Sequence, residues 1–355
     1  MSFLKIILYC FSVFALISVL IPFIKKDLWV FRIFDYPRLQ KLVIIGILCA
    51  LWLGFFRIPT EWWDRALLLA LTVSFFYLGY LIIPFTPLGK KMIKPIKQTR
   101  ETPCLNLLVA NVYQHNRNYQ KLLDLVTERN PDIIFLLETD QQWMESVQQL
   151  KKYYPHCIEI PKENTYGLLF YSKFKLDHTE INYLIDDEVP SIIADITFDK
   201  ETIRIFGLHP APPVPKENSH STDRDAEILL IGKMAKDYKG PCIVMGDLND
   251  VAWSYTTELF LKYSGLLDPR RGRGMYSTFH AQYPLLRWPL DHYFLSSHFR
   301  LMRMKVEKNI DSDHFPISIC LLLSHKDKEN KMEADAEDQE LAQEKIEAGI
   351  KGEPR

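Results

Sequence analysis

Residues Cys242-Ile-Val-Met-Gly-Asp-Leu-Asn-Asp250 form an apolar run that stops abruptly at a carboxylate, a carboxamide and a second carboxylate. A short aliphatic and β-branched run ending in Gly reads as a buried strand whose C-terminal end opens into a loop. Extended geometry turns Asp247 and Asn249, two positions apart, to the same side. One ionised acceptor beside an amide that both donates and accepts suits a site that orients a water or a phosphoryl oxygen next to a metal. An Asx-rich turn closing a strand accounts for the same residues, so the weight rests on how many similar strand ends the chain carries.

It carries several. Cys104 to Asn111 is an apolar run ending on an amide, and Pro131 to Glu138 is one ending on a carboxylate, with helical spacing of Leu122, Leu123 and Val126 between them. Gly167-Leu-Leu-Phe-Tyr-Ser-Lys173, Ser191 to Phe198 and Thr202 to His209 read as further strands, the last running into a Pro-rich turn at Pro210 to Pro215. A helix over Asp223 to Tyr238 carries Arg224 on its first turn, either as a surface charge or as an active-site group, because a cation there opposes the helix dipole. Arg287 to Ser296 is a strand with Asp291 and His292 set among apolar neighbours, and a charge so placed needs a partner. Ser312-Asp-His-Phe lies between two last strands, Leu301 to Val306 and Pro316 to Leu323. Asn111, Glu138, His209, Asp247, Asn249, Asp291, Asp313 and His314 thus fall at strand ends or within strands. The pattern suits an α+β domain, an α/β sandwich of two packed sheets with helices outside and the site at one end. A cluster of carboxylates with amide and His groups is a hard-oxygen site suited to Mg²⁺ or Mn²⁺.

The net charge of -1 gives no sign of a nucleic-acid-binding surface, but it hides a strong asymmetry. Phe3 to Ile24, Leu42 to Phe56 and Ala66 to Phe85 are apolar, and the first and third are long enough to cross a hydrocarbon core of ~30 Å. Trp52, Trp62 and Trp63 suit a membrane interface. A signal peptide at the first stretch, or two spans with a re-entrant segment, are the alternatives to three spans. Lys25, Lys26, Arg32, Arg38 and Lys41 follow the first span and Lys90, Lys91, Lys94, Lys97 and Arg100 the third, against Arg57 and Arg65 in the loop between. With three spans the positive-inside rule places the large domain in the cytoplasm of a multi-pass membrane protein. The expected organisation is an anchor over 1–89, a basic linker over 90–103, the catalytic domain over 104–323 and a charged, solvated tail over 324–355. Cys104, Cys242 and Cys320 are expected as free thiols in strands.

Val-Ala-Asn111, Phe-Leu-Leu-Glu138, Gly167 to Lys173, Leu-His209, Gly-Asp247-Leu-Asn249, Leu-Asp291-His-Tyr-Phe and Ser-Asp313-His314 occur in an order that resembles the endonuclease/exonuclease/phosphatase superfamily. The resemblance implies a DNase I-like four-layered fold, and the spans in front are similar to those of its membrane-anchored bacterial members. It implies Glu138 as main Mg²⁺ (or Mn²⁺) ligand, helped by Asn111 and Asp313. Asp247 and Asn249 would position the attacking water, His314 oriented by Asp291 would act on it or steady the developing charge, and His209 would contact the phosphate from the other side. Whether Asp247 or His314 is the base stays open. Direct attack by water agrees with the lack of a Ser or Cys elbow motif. Tyr171, Arg224, Arg271 and Trp288 are the expected substrate contacts, the Arg270 to Arg273 loop clasping phosphates, dipping into a bilayer surface or forming a solvated turn. The expected substrate is a phosphoester, a lipid or headgroup ester ahead of DNA. No stable nucleic-acid partner is expected, and a tethered nuclease and a non-catalytic docking module are the alternatives.

Overall fold

The structure, a computed structural model, describes residues 3–56, 61–96, 103–215, 218–324 and 331–353. Arg57, Lys97 and Arg100 of the basic loops lie outside the described residues. The chain opens with α1 (Phe3–Leu20), a single turn α2 (Trp29–Arg32), α3 (Arg38–Phe56) and α4 (Trp62–Ile82). Counting the short 3₁₀ ends of α1 and α4, three helices are long and apolar enough to cross a membrane: Phe3–Phe23, Arg38–Phe55 and Trp62–Phe85. The middle helix begins at Arg38, four residues before the apolar stretch does. Its 19 residues therefore reach about 28 Å, close to the thickness of a hydrocarbon core. Trp62 and Trp63 are exposed, but Trp52 is buried between helices and donates its indole N–H to Ser12 Oγ at 3.0 Å. An interior hydrogen-bond partner, rather than the membrane interface, takes up its polar edge.

The rest of the chain continues with β1 (Leu105–Asn111), α5 (Tyr119–Arg129), β2 (Ile133–Leu137), α6 (Gln141–Ser146), β3 (His156–Ile160), β4 (Leu168–Ser172), β5 (Leu176–Asn182), β6 (Ser191–Phe198) and β7 (Glu201–Gly207). Then come α7 (Thr222–Asp237), β8 (Cys242–Asp247), α8 (Tyr255–Ser264), β9 (Asp291–Leu295), β10 (Phe299–Val306), β11 (Ile317–Leu323) and α9 (Ala336–Lys351). One sheet has the order β10-β11-β1-β2-β4-β3 and the other β5-β6-β7-β8-β9. Strand period explains why they stack. Leu107 and Val109 of β1, Ile133 and Phe135 of β2, and Ile243 and Met245 of β8 meet in one core between the sheets. The alternate residues face helices instead: Leu108, Ala110, Ile134 and Leu136 lie under α5 and α6, while Cys242 and Val244 lie under α7 and α8. Strands buried on both faces read as continuous apolar runs, which is how they look in the sequence. Two sheets with helices on both outer faces make the four-layered sandwich.

The chain's last segment differs from the expected solvated tail. It forms α9, started by a capping box in which Asp335 accepts from the Asp338 N–H at 2.8 Å and Asp338 accepts from the Asp335 N–H at 3.3 Å. Ala342, Lys345, Ile346 and Gly349 recur at helical spacing and are buried against α7 and α8. A side chain on Gly349 would come within 2.3 Å of Ala226 Cβ, so small residues let the helices close on each other. Small residues and one lysine make a faint apolar stripe, which is why composition reads as a tail. Cys104 and Cys320 also depart from expectation: they are paired as a disulfide beside the β1–β11 ladder, with Cα atoms 5.8 Å apart. Cys10, Cys49, Cys157 and Cys242 are free.

Candidate active site

Sheet register collects the polar strand ends at one edge. Asn111 pairs with Leu137 at the end of the parallel β1–β2 ladder, so Glu138, the next residue, emerges beside Asn111. Asp247 and Asp291 are direct partners at the end of the antiparallel β8–β9 ladder. Strand β11 runs antiparallel to β1, which brings the Asp313-His314 turn before it to the same edge. His209 follows β7, whose parallel neighbour is β8. Gly246 makes the close approach there possible: its φ is +145°, and a Cβ would lie 1.9 Å from the Leu208 carbonyl oxygen.

The side chains form one hydrogen-bonded constellation. Asn111 donates its amide to Glu138 Oε1 at 2.7 Å and to Asp247 Oδ2 at 3.1 Å, while its own oxygen accepts from the Tyr113 N–H at 3.0 Å. Asn111 thus binds two carboxylates together and keeps its oxygen occupied. His314 Nδ1 lies 2.8 Å from Asp291 Oδ2, and its Nε2 lies 3.5 Å from Asp247 Oδ2. His209 Nε2 approaches the same Asp247 oxygen from another side at 4.0 Å. Asp247 Oδ1 accepts from the Asn249 N–H at 2.9 Å, and the Asn249 amide donates to the Pro210 carbonyl at 3.0 Å. The Asx turn and the functional reading of this stretch are therefore one feature, since the turn fixes the carboxylate.

Electrostatics follow from burial and crowding. Burial foremost, with Asp313 and Asp247 adding repulsion, pushes the Glu138 carboxyl up to about 7 against the Asn111 hydrogen bond and the His314 charge. Burial opposes the charged form of His314, but Asp291 and Asp247 outweigh it and raise the imidazole to about 10. His209 is lowered by burial, which Asp247 only partly offsets. Asp247 is raised, again by burial first. Carboxylates that repel one another in a buried site fit a divalent cation. The geometry agrees: Asp247 and Asp291 each offer a carboxylate oxygen within 4.8 Å of the other and of a nitrogen of the protonated His314, and Asp291 Oδ1 is buried without a hydrogen-bond partner. Glu138 and Asp313 add hard oxygens, and there is no thiolate in the set.

Several residues here carried no legible signal. Ser312 Oγ donates to the Asn111 carbonyl at 2.9 Å and accepts from the His314 N–H at 3.0 Å, pinning the Asp313-His314 turn to β1. Gln114 gives its backbone N–H to Glu138 Oε2 at 3.3 Å. Phe279 lies against the His314 ring with centroids 4.9 Å apart. Ser312 stands in a quoted motif and Gln114 lies three residues after Asn111, but nothing in residue type marks Gln114 or Phe279, which only proximity in the fold reveals.

Of the four expected substrate contacts, Tyr171, Arg224 and Arg271 are engaged with protein partners, and Trp288 lies one ring away from His314, across Phe279. Tyr171 faces the helix side of its sheet and donates to Glu159 at 2.8 Å, because its strand neighbours Phe170 and Ser172 take the other face. Arg224 is buried behind the site, donating to the Asn249 carbonyl at 2.8 Å and to Asp225. Its position on the first turn of α7 is compensated by Asp225 and Asp250 rather than by a ligand. Arg271 pairs with Glu258 and stacks over Phe85, 5.2 Å from its centroid. Arg270 is buried against Asp268 and His292, and Arg273 donates to the Pro269 and Ile93 carbonyls, so the Arg-rich loop is held by protein partners, with Arg270 Nη1 and Arg271 Nε left buried without a hydrogen-bond partner. Trp288 lies between Tyr36 and Phe279.

Known proteins share this fold. Similar solved structures include TDP2 of D. rerio complexed with a single-strand DNA product, at TM-score 0.52 and 16% identity over 61% of this chain and 98% of that one. An endonuclease/exonuclease/phosphatase from Bacteroides vulgatus gives 0.51 and 17% over 62% and 100%, and one from Beutenbergia cavernae gives 0.51 and 14% over 63% and 72%. At such identities the likeness shows the fold. No curated protein matches the chain. Residues 108–314, more than half of the chain, match the Endonuclease/Exonuclease/phosphatase family from β1 to His314, and the chain belongs to that family of metal-dependent hydrolases of phosphoester bonds.

Proposed function

We propose that the protein is a membrane-anchored, Mg²⁺- or Mn²⁺-dependent phosphoesterase that hydrolyses a lipid or lipid-headgroup phosphoester by direct attack of water. The observation that carries the lipid preference is the loop from His280 to Arg287. Tyr283, Leu285 and Leu286 are exposed on it, Leu285 by 83%. At one end the loop is tied to the site, for the Ala281 N–H donates to the Asp313 carbonyl at 2.6 Å and Phe279 rests on His314. At its tip the Leu285 carbonyl accepts from Gln40, on the first turn of α3, at 2.8 Å. Exposed apolar side chains between a span and an active site suit a bilayer surface. An anchor also raises the effective concentration of membrane substrates and does nothing comparable for DNA.

Glu138 and Asp313 would hold a divalent cation, which would supply charge stabilisation at a phosphoryl oxygen. Asp247, fixed by Asn111 and the Asn249 N–H, receives the proton of the attacking water as the oxygen bonds to phosphorus and the ester P–O bond breaks. His314, flanked by Asp291 and Asp247, keeps its proton and steadies the charge that develops, with His209 facing it across Asp247. Leu285→Ser with Leu286→Ser, in full-length protein in anionic liposomes, is expected to lower turnover of a bilayer phospholipid about 10-fold and leave a water-soluble aryl phosphodiester unaffected. Equal rates on both substrates in variant and wild type, or nicking of plasmid DNA without release of phosphate or headgroup from lipid, would replace the lipid reading with a tethered nuclease.

The domain is assigned to the cytoplasmic side. The loop between α1 and α3 docks on the domain, the Trp29 N–H donating to the Ser219 carbonyl at 3.0 Å and the Ser221 N–H to the Asp27 carbonyl at 2.7 Å, and that loop is the basic one. The Cys104–Cys320 pairing weighs the other way, since disulfides belong to oxidising compartments. A reporter fused after Leu323 is expected to give a cytoplasmic signal, and an exterior signal overturns the assignment without touching the chemistry.

A further inference from the structure

The segment between the first two membrane-length helices reaches into the back of the active site. Tyr36 donates its hydroxyl to the Asn249 carbonyl at 3.0 Å, sharing that oxygen with Arg224. The same peptide segment gives its Asn249 N–H to Asp247 Oδ1 at 2.9 Å. Two hydrogen bonds therefore separate the anchor from the carboxylate that contacts Asn111, His209 and His314. A second route runs through rings. Tyr36 meets Trp288 edge-on with centroids 5.6 Å apart, Trp288 stacks on Phe279 at 6.3 Å, and Phe279 rests on His314 at 4.9 Å. The neighbouring Asp35 carbonyl accepts from the Trp253 indole at 2.9 Å.

The segment is held in this place by charge. Asp27 accepts from Arg32 at 3.1 Å, from Lys345 of α9 at 2.8 Å and from Thr222 of α7 at 3.1 Å. Lys345 also reaches Asp225 at 2.9 Å. All five residues are buried. Burial favours a neutral Asp225, but Lys345, Arg224 and Arg32 hold its carboxyl well below the usual carboxylate range. In a buried network of paired charges, removing a single partner leaves an uncompensated charge. The anchor loop, the first turn of α7 and the last helix are thus clamped as one unit beneath Asn249.

We infer that Tyr36 is a positioning residue of the active site, acting through the Asn249 peptide on Asp247, so that the anchor loop is a working part of the catalytic centre as well as a tether. The juxtaposition explains an otherwise idle phenol: its ring is packed on Trp288 and its hydroxyl serves a carbonyl in the very turn that orients Asp247. Arg224 belongs to the same device from the domain side. Asn249 has φ +50°, a conformation that a non-glycine residue holds only when its surroundings fix it. Two donors on its carbonyl, one of them from the anchor, supply that fixing.

The test uses full-length protein and whichever phosphoester the wild type turns over, so it does not depend on the substrate being a lipid. Tyr36→Phe keeps the ring on Trp288 and removes the hydroxyl. The expected result is a fall in kcat of about 10-fold, the effect of one well-placed hydrogen bond, with KM and melting temperature unchanged. Lys345→Met loosens the clamp and is expected to lower kcat together with melting temperature, which gives the signature of a purely structural defect for comparison. An unchanged kcat in Tyr36→Phe overturns the inference. So does a loss of kcat that follows melting temperature along the Lys345→Met pattern, because a structural contact alone would do that.

Discussion

Glu138→Ala is expected to lower turnover by about 10³-fold, and chelation of divalent ions is expected to abolish it in the wild type, with recovery on adding Mg²⁺ or Mn²⁺. The expectation comes from the company Glu138 keeps. Its carboxyl is pushed up by burial and by Asp313 and Asp247, a cost that a cation among these oxygens would remove. Asn111 and the Gln114 N–H each hold one of its oxygens, so the group is aimed as well as buried. Glu138→Gln keeps the shape but loses the charge and sets an NH2 donor against either the Asn111 amide or the Gln114 N–H. It should therefore match Glu138→Ala in activity. Turnover that persists in chelator, in protein stripped of metal, would remove the cation from the mechanism. The measurements are initial rates in chelator and in graded Mg²⁺, alongside melting temperature for each variant.

The second large effect belongs to His314. His314→Ala is expected to cost about 10²-fold or more in kcat, the usual size of a proton-handling or charge-steadying term. Asp291→Asn should cost nearly as much, because the 2.8 Å contact to Nδ1 sets the ring's orientation and protonation. The two changes act on one unit, so the double variant should be little worse than His314→Ala alone. Full additivity in the double-mutant cycle would mean that Asp291 works apart from His314, as a metal ligand in its own right. The cycle separates these roles because Asp291 Oδ1 has no hydrogen-bond partner and lies in the group that could take a cation.

The buried strand that Cys242 to Asp247 promised is β8, and the strand ends at Asn111, Glu138, His209, Asp291 and Asp313-His314 do converge. These were legible because a strand buried on both faces must be apolar throughout, so a polar residue at its end stands out, and because period-2 geometry leaves few ways to pack such strands. The three membrane-length helices were legible for the same kind of reason, since length and apolarity are one-dimensional properties. Arg224, Arg271, Trp288 and Tyr171 were not. A charged or aromatic side chain looks the same in sequence whether its partner is a ligand or another side chain. Here Asp225, Glu258, Tyr36 and Glu159 proved to be the partners. The docking of the last helix escaped notice because Lys345 sits at the centre of its buried face. A lysine reads as surface until Asp27 and Asp225, some 318 and 120 positions away, are seen to enclose it.

The sequence by itself determined the strand and helix periods, the polar strand ends and the chemistry those residue types allow, because each depends on neighbours within a few positions. Only the tertiary structure decided which residues meet. The segment between α1 and α3 lies beneath Asn249, Tyr36 reaches its carbonyl, and the apolar loop around Leu285 stands between α3 and His314. Hydrogen bonds and ion pairs act over about 3–4 Å in space whatever the separation along the chain, and that distance is set by how the layers and the anchor pack.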